Sequence, residues 1–145
     1  SGGLTEPATG LDHISYITIG STGNAQDFGN LTVARNRAHG SGSSTRGVFM
    51  GGYGVPSGGN LNVIDYITIG STGNATDFGD LTVGRWGGQN TSNGVRQINM
   101  GGSSPYTNTI DFVTIASTGN ATDFGDMLNA AGQGAACSNG HGGLS

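Results

Sequence analysis

The triplet Asp-Phe-Gly occurs three times in this chain of 145 residues, beginning at Asp27, Asp77 and Asp123. In protein kinases the same triplet binds magnesium, but it occurs once and works together with a lysine on a nearby strand. This chain has no lysine, so the triplet does not predict phosphoryl transfer. We predict a structural role instead: the Phe packs between repeats, the Gly permits a bulge, and the Asp bonds the backbone of a turn.

The other reactive residue types do not combine into a catalytic or metal site. Asn74, Asp77 and Asp80 offer oxygen ligands of the kind that calcium binds, but their spacing is not that of a calcium loop, and turn capping explains them. The histidines and the cysteine stand at unrelated positions: His13, His39, His141 and Cys137. A cysteine without a placed base is a poor nucleophile. We therefore predict no catalytic residue, no metal site, no cofactor and no enzymatic activity.

Charge and composition exclude several classes of partner. The formal net charge is −4, and all five cationic side chains are arginines, too few to neutralise a nucleic-acid backbone. No apolar run approaches the roughly 20 residues of a membrane helix, and no signal peptide is recognisable. We therefore expect no nucleic-acid binding and no membrane insertion. The 30 glycines recur beside β-branched runs, which indicates ordered turns rather than disorder.

Nearly half of these glycines lie in the segments of an internal repeat. The segment "YITIGSTGNATDFGDLTV" at 66–83 has close copies at 16–33 and 112–127. Met-Gly-Gly occurs at 50–52 and 100–102, and Ser-Gly-Gly occupies the same phase at the start of the chain. We therefore predict a single repeat domain with units 1–49, 50–99 and 100–145, in which strands are shared across the two ends.

Each unit contains the signals for four short strands. In the second copy these are residues 62–69 and 76–83, followed by 85–92 and 96–102; the last two correspond to 35–43 and 46–52 earlier in the chain. No stretch has helical periodicity. The Ala-rich region 127–136 aligns with strand and loop in the other copies, so we predict no helix there. The expected fold class is all-β.

The order of the motifs resembles that of the kelch repeat, which has Gly-Gly, then Tyr, then an aromatic residue, then Arg. The second unit supplies Gly51, Gly52, Tyr66, Phe78 and Arg85. The other units supply the following matches: Gly2, Gly3, Tyr16, Phe28 and Arg35 in the first, and Gly101, Gly102, Phe112 and Phe124 in the third. The third unit has no arginine at the position of Arg85, where residues 129–131 stand.

The kelch resemblance implies that each unit is one four-stranded blade of a β-propeller. Propellers close with about 4–8 blades, so three blades imply completion by homo-oligomerisation or by further repeats of a longer array. A β-trefoil or β-prism remains an alternative, because three units of four strands also close as a monomer in those folds, and an open β-solenoid is a third. The amino-acid sequence of the repeat is also similar to repeats in marine bacteriophage virion and tail-fibre-type proteins. This similarity implies a virion or extracellular location.

The segments that differ between the copies indicate where binding would occur. The loops after Gly-Gly and after the Arg vary in length and content, whereas the Ser-Thr-Gly-Asn turn does not, and variable loops on a rigid scaffold commonly carry binding residues. Four candidate ligand-binding residues lie in them: Tyr53, Trp86, Asn90 and Tyr106. We expect a non-enzymatic structural or adhesion module that binds a surface glycan or protein. The alternative is a stand-alone lectin-like carbohydrate-binding domain.

Overall fold

A computed structural model of the chain describes residues 3–5, 9–103 and 105–140, with side chains from residue 11 onward. The strands in these residues are β1 (Gly3–Thr5), β2 (Thr9–Leu11), β3 (His13–Tyr16), β4 (Gln26–Asn30), β5 (Arg35–Asn36), β6 (His39–Gly42), β7 (Arg46–Met50), β8 (Tyr53–Gly54), β9 (Val63–Thr68), β10 (Thr76–Asp80), β11 (Gln89–Ser92), β12 (Arg96–Met100), β13 (Thr109–Thr114) and β14 (Thr122–Asp126). The all-β prediction is confirmed, since the described residues form antiparallel sheets of two to four strands. They contain no apolar helix of membrane-spanning length.

Two of the sheets have four strands and the same plan. Strands β6, β7, β9 and β10 lie side by side, as do β11, β12, β13 and β14. The central pairs have matching registers, with Arg46 opposite Thr68 in one sheet and Arg96 opposite Thr114 in the other. The β-branched runs of β9 and β13 occupy inner positions in the strand order, where residues of high β-propensity pack well.

The Gly-Gly pairs end the central strands β7 and β12. Gly51 and Gly52 have φ angles of 61° and 120°, in the left-handed region that glycine adopts without strain. A Cβ atom on Gly52 would also lie 2.8 Å from the carbonyl oxygen of Asn36. The second pair, Gly101 and Gly102, repeats these angles at 60° and 135°.

The first copy of the repeat forms half of such a sheet. Strands β3 and β4 pair with His13 opposite Asn30 and Tyr16 opposite Gln26, as β9 pairs with β10 and β13 with β14. This sheet contains only two strands among the described residues. Two smaller ladders, β1 with β2 and β5 with β8, join parts of the loops.

The observed strands differ from the predicted ones at some of their ends and in two further respects. The predicted strand 35–43 is divided into β5 and β6, because Arg37 adopts a φ of 55° between them. Within 85–92, the strand β11 begins only at Gln89. Residues 127–140 contain no strand, although their counterparts in the other copies do. The predicted sharing of strands across the ends depends on residues 1–2 and 141–145, which lie outside the described residues.

The hydrophobic core lies between neighbouring sheets. The larger cluster joins the two four-stranded sheets and comprises Val48, Met50, Ile64, Phe78, Leu81, Val113 and Ile115. The smaller cluster joins the two-stranded sheet to the first four-stranded sheet and comprises Ile14, Phe28 and Leu31, with Phe49, Ile67 and Ala75 packed against them. Because burial of one such side chain contributes about 1.5–3 kcal/mol, the contacts between sheets hold the chain together.

Candidate functional site

The unchanging Ser-Thr-Gly-Asn turn connects each of the two four-stranded sheets to the sheet before it. After β9, the backbone N–H of Gly73 donates to the carbonyl of Phe28 at 2.7 Å, and that of Ala75 donates to Asn30 at 2.8 Å. The side-chain oxygen of Asn74 accepts from the backbone N–H of Asn30 at 3.0 Å. The turn after β13 makes the same three bonds. The backbone N–H of Gly119 donates to the carbonyl of Phe78 at 2.7 Å, that of Ala121 donates to the carbonyl of Asp80 at 2.8 Å, and the side-chain oxygen of Asn120 accepts from the backbone N–H of Asp80 at 3.1 Å.

The Asp-Phe-Gly triplet forms the other side of this connection. The register of the ladder shifts between Asp77 and Gly79, so Phe78 sits at a bulge, where it is 2% exposed. Its ring meets that of Tyr66 edge-on at a centroid distance of 5.8 Å. In the first copy, Asp27 accepts a hydrogen bond from the backbone of Gly29 at 3.1 Å. Phe78 thus packs between sheets, whereas Asp27 bonds the backbone within the bulged strand β4 and not in a turn as predicted.

Two buried ion pairs cross the same junctions between sheets. Arg35 contacts Asp65 at 2.8 Å and Arg85 contacts Asp111 at 3.0 Å, with all four side chains almost completely buried. Burial lowers the pKa of each guanidinium from its ordinary value, and the neighbouring carboxylate opposes that shift. Arg85 was predicted from the sequence as a repeat residue, but its partner was not. The signal for the partner is the Asp directly before Tyr66 and Phe112.

Three of the four predicted ligand-binding residues lie along the loops at one end of the sheets. Tyr53 pairs with Asn36 through the backbone. Trp86 forms an isolated β-bridge to Ser103, and Ser103 lies in the same loop as Tyr106. The guanidinium of Arg37 stacks 4.3 Å from the centroid of the Trp86 ring. Tyr53 and Tyr106 are exposed, whereas Trp86 is half-buried.

The structure places Asn90 between sheets instead of among these loops. The Nδ2 atom of Asn90 donates to the carbonyl of His39 at 3.1 Å, which links β11 to β6. Its Oδ1 atom is buried and has no hydrogen-bond partner among the described residues. The Ser41 and Ser92 hydroxyls meet at 3.0 Å along the same line of contact. Asn90 is therefore engaged in packing two strands together.

A cavity lies at the opposite end of the sheets from the aromatic loops. It has a volume of about 680 Å³ and lies between the turn that joins β6 to β7 and the turn that joins β11 to β12. Its polar lining includes Ser41, Ser43, Arg46, Ser92 and Asn93. Sequence analysis did not identify it, although both turns are rich in Ser, Asn and Gly.

The groups considered for metal or nucleophilic chemistry are dispersed. The described residues contain no cluster of three or more His, Cys, Asp or Glu side chains placed to hold a metal ion. His13 lies 3.5 Å from Asp27 in an exposed pair, and Cys137 is exposed. Burial lowers the pKa of His39 from its ordinary value. Asn74, one of the oxygen donors considered for calcium, is used in the junction between sheets.

These surfaces present aromatic, amide, hydroxyl and guanidinium groups on loops that paired strands hold in place. Such groups are common in protein and carbohydrate contacts. A comparison of the chain with protein-family models gives no match, and a comparison with curated proteins gives none either. The assignment of a function therefore depends on the geometry described above.

Proposed function

We propose that this chain is a non-enzymatic structural or adhesion repeat module of a phage virion or an extracellular appendage. It binds a surface glycan or protein through its variable loops. The observation that supports the proposal most is the row of loops that carries Tyr53, Trp86 and Tyr106. Successive loops are tied by backbone bonds, including one of 3.3 Å from Gly87 to Arg37, so the aromatic rings are presented on a stiff surface.

We also propose that the repeat is kelch-like and that each four-stranded sheet is a propeller blade. The Gly-Gly pair and the aromatic pair of the kelch pattern have matching roles in the two four-stranded sheets, whereas the third unit has no arginine. Gly51 and Gly52 end a central strand, Tyr66 and Phe78 pack edge-on, and Arg85 reaches the next sheet. Strands β6 and β11 contact each other through Ser41 and Ser92, as innermost strands around a central axis would.

A closed monomeric trefoil or prism is the competing arrangement. In such a fold the third junction would also form within the chain and would bury the aromatic residue of the third triplet. Instead, Phe124 is 57% exposed, while its counterpart Phe78 is buried. This difference favours an open array completed by another copy or by further repeats.

The lectin-like alternative has a separate observation in its favour. The cavity lined by Ser43, Arg46 and Asn93 has a volume of about 680 Å³ and presents hydroxyl, guanidinium and amide groups. Such groups suit a carbohydrate ligand. Because the cavity and the aromatic loops lie at opposite ends of the sheets, the two proposals can be tested in one experiment.

Binding to a glycan array should distinguish the two surfaces. For the adhesion proposal, we expect Trp86→Ala to reduce binding at least tenfold, which is the loss of about 1.4 kcal/mol of contact energy. Ser44→Trp, which fills the cavity from an exposed lining residue, should leave binding unchanged. The reverse result would overturn the loop proposal and support the cavity. Binding that neither substitution alters would remove both surfaces.

A further inference from the structure

The two ends of the sheet array carry unpaired halves of the junction that the chain makes twice internally. The head face comprises Ile17, Ile19, Gly23, Asn24 and Ala25, next to β3. The tail face comprises Arg96, Phe112, Phe124, Asp126 and Leu128, next to β14. We propose that two copies of this chain pair head to tail, so that the tail face of each copy binds the head face of the other.

The polar groups on the two faces correspond to those of the internal junctions. Gly23 and Ala25 occupy the positions of Gly73 and Ala75, whose N–H groups bond the preceding sheet. Phe124 and Asp126 occupy the positions of the acceptors Phe78 and Asp80. Within the described residues, these head and tail groups make no bond of this kind. The pairing would supply the tail face with the partner's Gly23, Asn24 and Ala25.

The apolar surfaces of the two faces are also complementary. Val113 and Ile115 are 3% and 1% exposed where they lie beneath Phe78. Their counterparts on the head face, Ile17 and Ile19, are 60% and 93% exposed. On the tail face, Phe124 is 57% exposed beside an open groove of about 290 Å³ that also contacts Ile98. Exposed apolar surface of this kind marks an interface.

Arg96 is positioned for the remaining bond of the junction. At the internal junction, Arg46 stacks 4.6 Å from the Tyr66 ring centroid and donates to the carbonyl of Ile115 at 2.9 Å. Arg96 stacks in the same way, 4.8 Å from the centroid of Phe112. The corresponding acceptor is the carbonyl of the partner's Ile19. The tail face therefore holds its arginine in the bonding orientation before the partner arrives.

Neither face carries the charged residues of the buried ion pair. At the internal junctions, Thr82 and Arg85 bond Asp111 at 2.6 and 3.0 Å. At the corresponding tail positions stand Leu128 and Ala131, and at the corresponding head position stands Ser15. A charge retained on one face alone would be buried without a partner, which is strongly unfavourable. The loss of both charges makes the two faces compatible with each other.

The segment after β14 favours a copy of this chain as the occupant. The Ser92 hydroxyl donates to the carbonyl of Gly42 at 2.6 Å, and the Ser138 hydroxyl donates to the carbonyl of Ser92 at 2.6 Å. Ser138 thus lies where the next strand in the row of β6 and β11 would be. Among the described residues, no outer strands accompany this segment, and β3 with β4 form an outer half without inner strands. Propellers have about 4–8 blades, and six is the only multiple of three in that range. Because each copy supplies three repeats, the number of copies is two; this number rests on the proposed propeller.

The mass of the chain in solution tests the pairing. Sedimentation equilibrium should give twice the 14.5 kDa of one chain. Phe124→Ser and Ile19→Ser should each reduce the mass to that of one chain, because each substitution breaks both junctions of the pair. Val83→Ser is the matched control, since Val83 is 53% exposed but lies on neither face, and it should leave the mass doubled. Circular dichroism of each variant checks that the strands remain folded.

Mixing the two variants tests the head-to-tail orientation. A copy with Ile19→Ser retains its tail face, and a copy with Phe124→Ser retains its head face. A mixture should therefore form pairs of one copy of each, held by one intact junction, and native mass spectrometry distinguishes them by mass. A single-chain mass for the unaltered protein, or a mass that rises beyond two copies, would overturn the proposal. Doubling that survives both substitutions would overturn it as well. None of these outcomes depends on glycan binding, so the adhesion proposal stands or fails separately.

Discussion

At the scale of single residues, the most consequential groups are the two buried arginines. Each reaches a carboxylate on the next sheet, and Thr32 and Thr82 bond the same carboxylates. A buried pair of this kind adds little stability over apolar packing, because both charges lose their hydration. It does, however, penalise any other arrangement that would bury one charge alone. We infer that the ion pairs fix which strand of one sheet meets which strand of the next.

His39 provides a prediction about pH. Because burial lowers the pKa of His39 in the folded chain, the unfolded chain binds the proton more readily between that lowered pKa and about 6.5. The free energy of unfolding should therefore decrease as the pH falls below about 6.5 and level off once the pH is below the folded pKa. Urea titrations of the chain across this range measure the effect.

The controls for the pH effect are matched histidine substitutions. His39→Gln should flatten the decrease between neutral and mildly acidic pH, because the glutamine does not titrate. His13→Gln replaces an exposed histidine and should leave the contribution of His39 in place. An unchanged pH dependence in His39→Gln would show that the burial of this side chain does not influence stability.

At the scale of elements, the turn after each long strand performs two functions. It reverses the chain between β9 and β10 or between β13 and β14, and it presents N–H groups and an Asn oxygen to the preceding sheet. This double requirement explains why "STGN" does not vary between copies. The side chains of the turn itself are exposed, yet replacing Asn74 or Asn120 would remove a bond between sheets.

The contribution of the hydrogen bond that the backbone N–H of Asp80 donates to the Asn120 side chain can be measured directly. Asn120→Ala should reduce the free energy of unfolding by about 0.5–1.5 kcal/mol, the net contribution of one hydrogen bond. Asn62→Ala is the matched control at an exposed loop position and should change stability by less than about 0.5 kcal/mol. Equal losses in the two variants, measured by urea unfolding, would mean that the bond contributes nothing of its own.

Much of the strand pattern could be predicted from the sequence because local signals encode it. The β-branched residues of β9 and β13, the Gly-Gly strand ends and the repeat period are all local features. The division of 35–43 was not predictable, because the left-handed conformation of Arg37 follows from its tertiary setting. The absence of a strand in residues 127–140 was not predictable either. These residues align in position with strands of the other copies but differ from them in sequence.

The candidate site was only partly predictable for a related reason. The sequence pointed to Tyr53, Trp86 and Tyr106 because they stand in loops that differ between copies. Asn90 satisfies the same criterion, but its contact with His39 arises when β11 meets β6. The polar cavity around Ser43 and Asn93 forms between two turns from different sheets. No local sequence pattern indicates which turns from different sheets lie next to each other.

At the scale of the whole molecule, the sheet of β3 and β4 and the two four-stranded sheets follow one another, and each contacts its neighbours. The two hydrophobic clusters do not share a residue, and each junction has its own ion pair and its own set of turn bonds. The stability of such arrays is approximated by a sum of unit and interface contributions. The junctions are therefore expected to fail separately, beginning with the two-stranded sheet, since two strands alone are marginally stable.

Breaking one ion pair at a time should reveal this independence. Asp65→Asn leaves Arg35 buried without a charged partner, which costs about 3–5 kcal/mol, and hydrogen exchange should show loss of protection in β3 and β4 while β12 and β13 stay protected. Asp111→Asn should instead reduce protection in β12 and β13, because Arg85 loses the partner that joins the two four-stranded sheets. Asp77→Asn, at an exposed site, should change neither region. Uniform loss across all strands in both variants would mean that the chain unfolds as one cooperative unit, and the nearest-neighbour description would then be wrong.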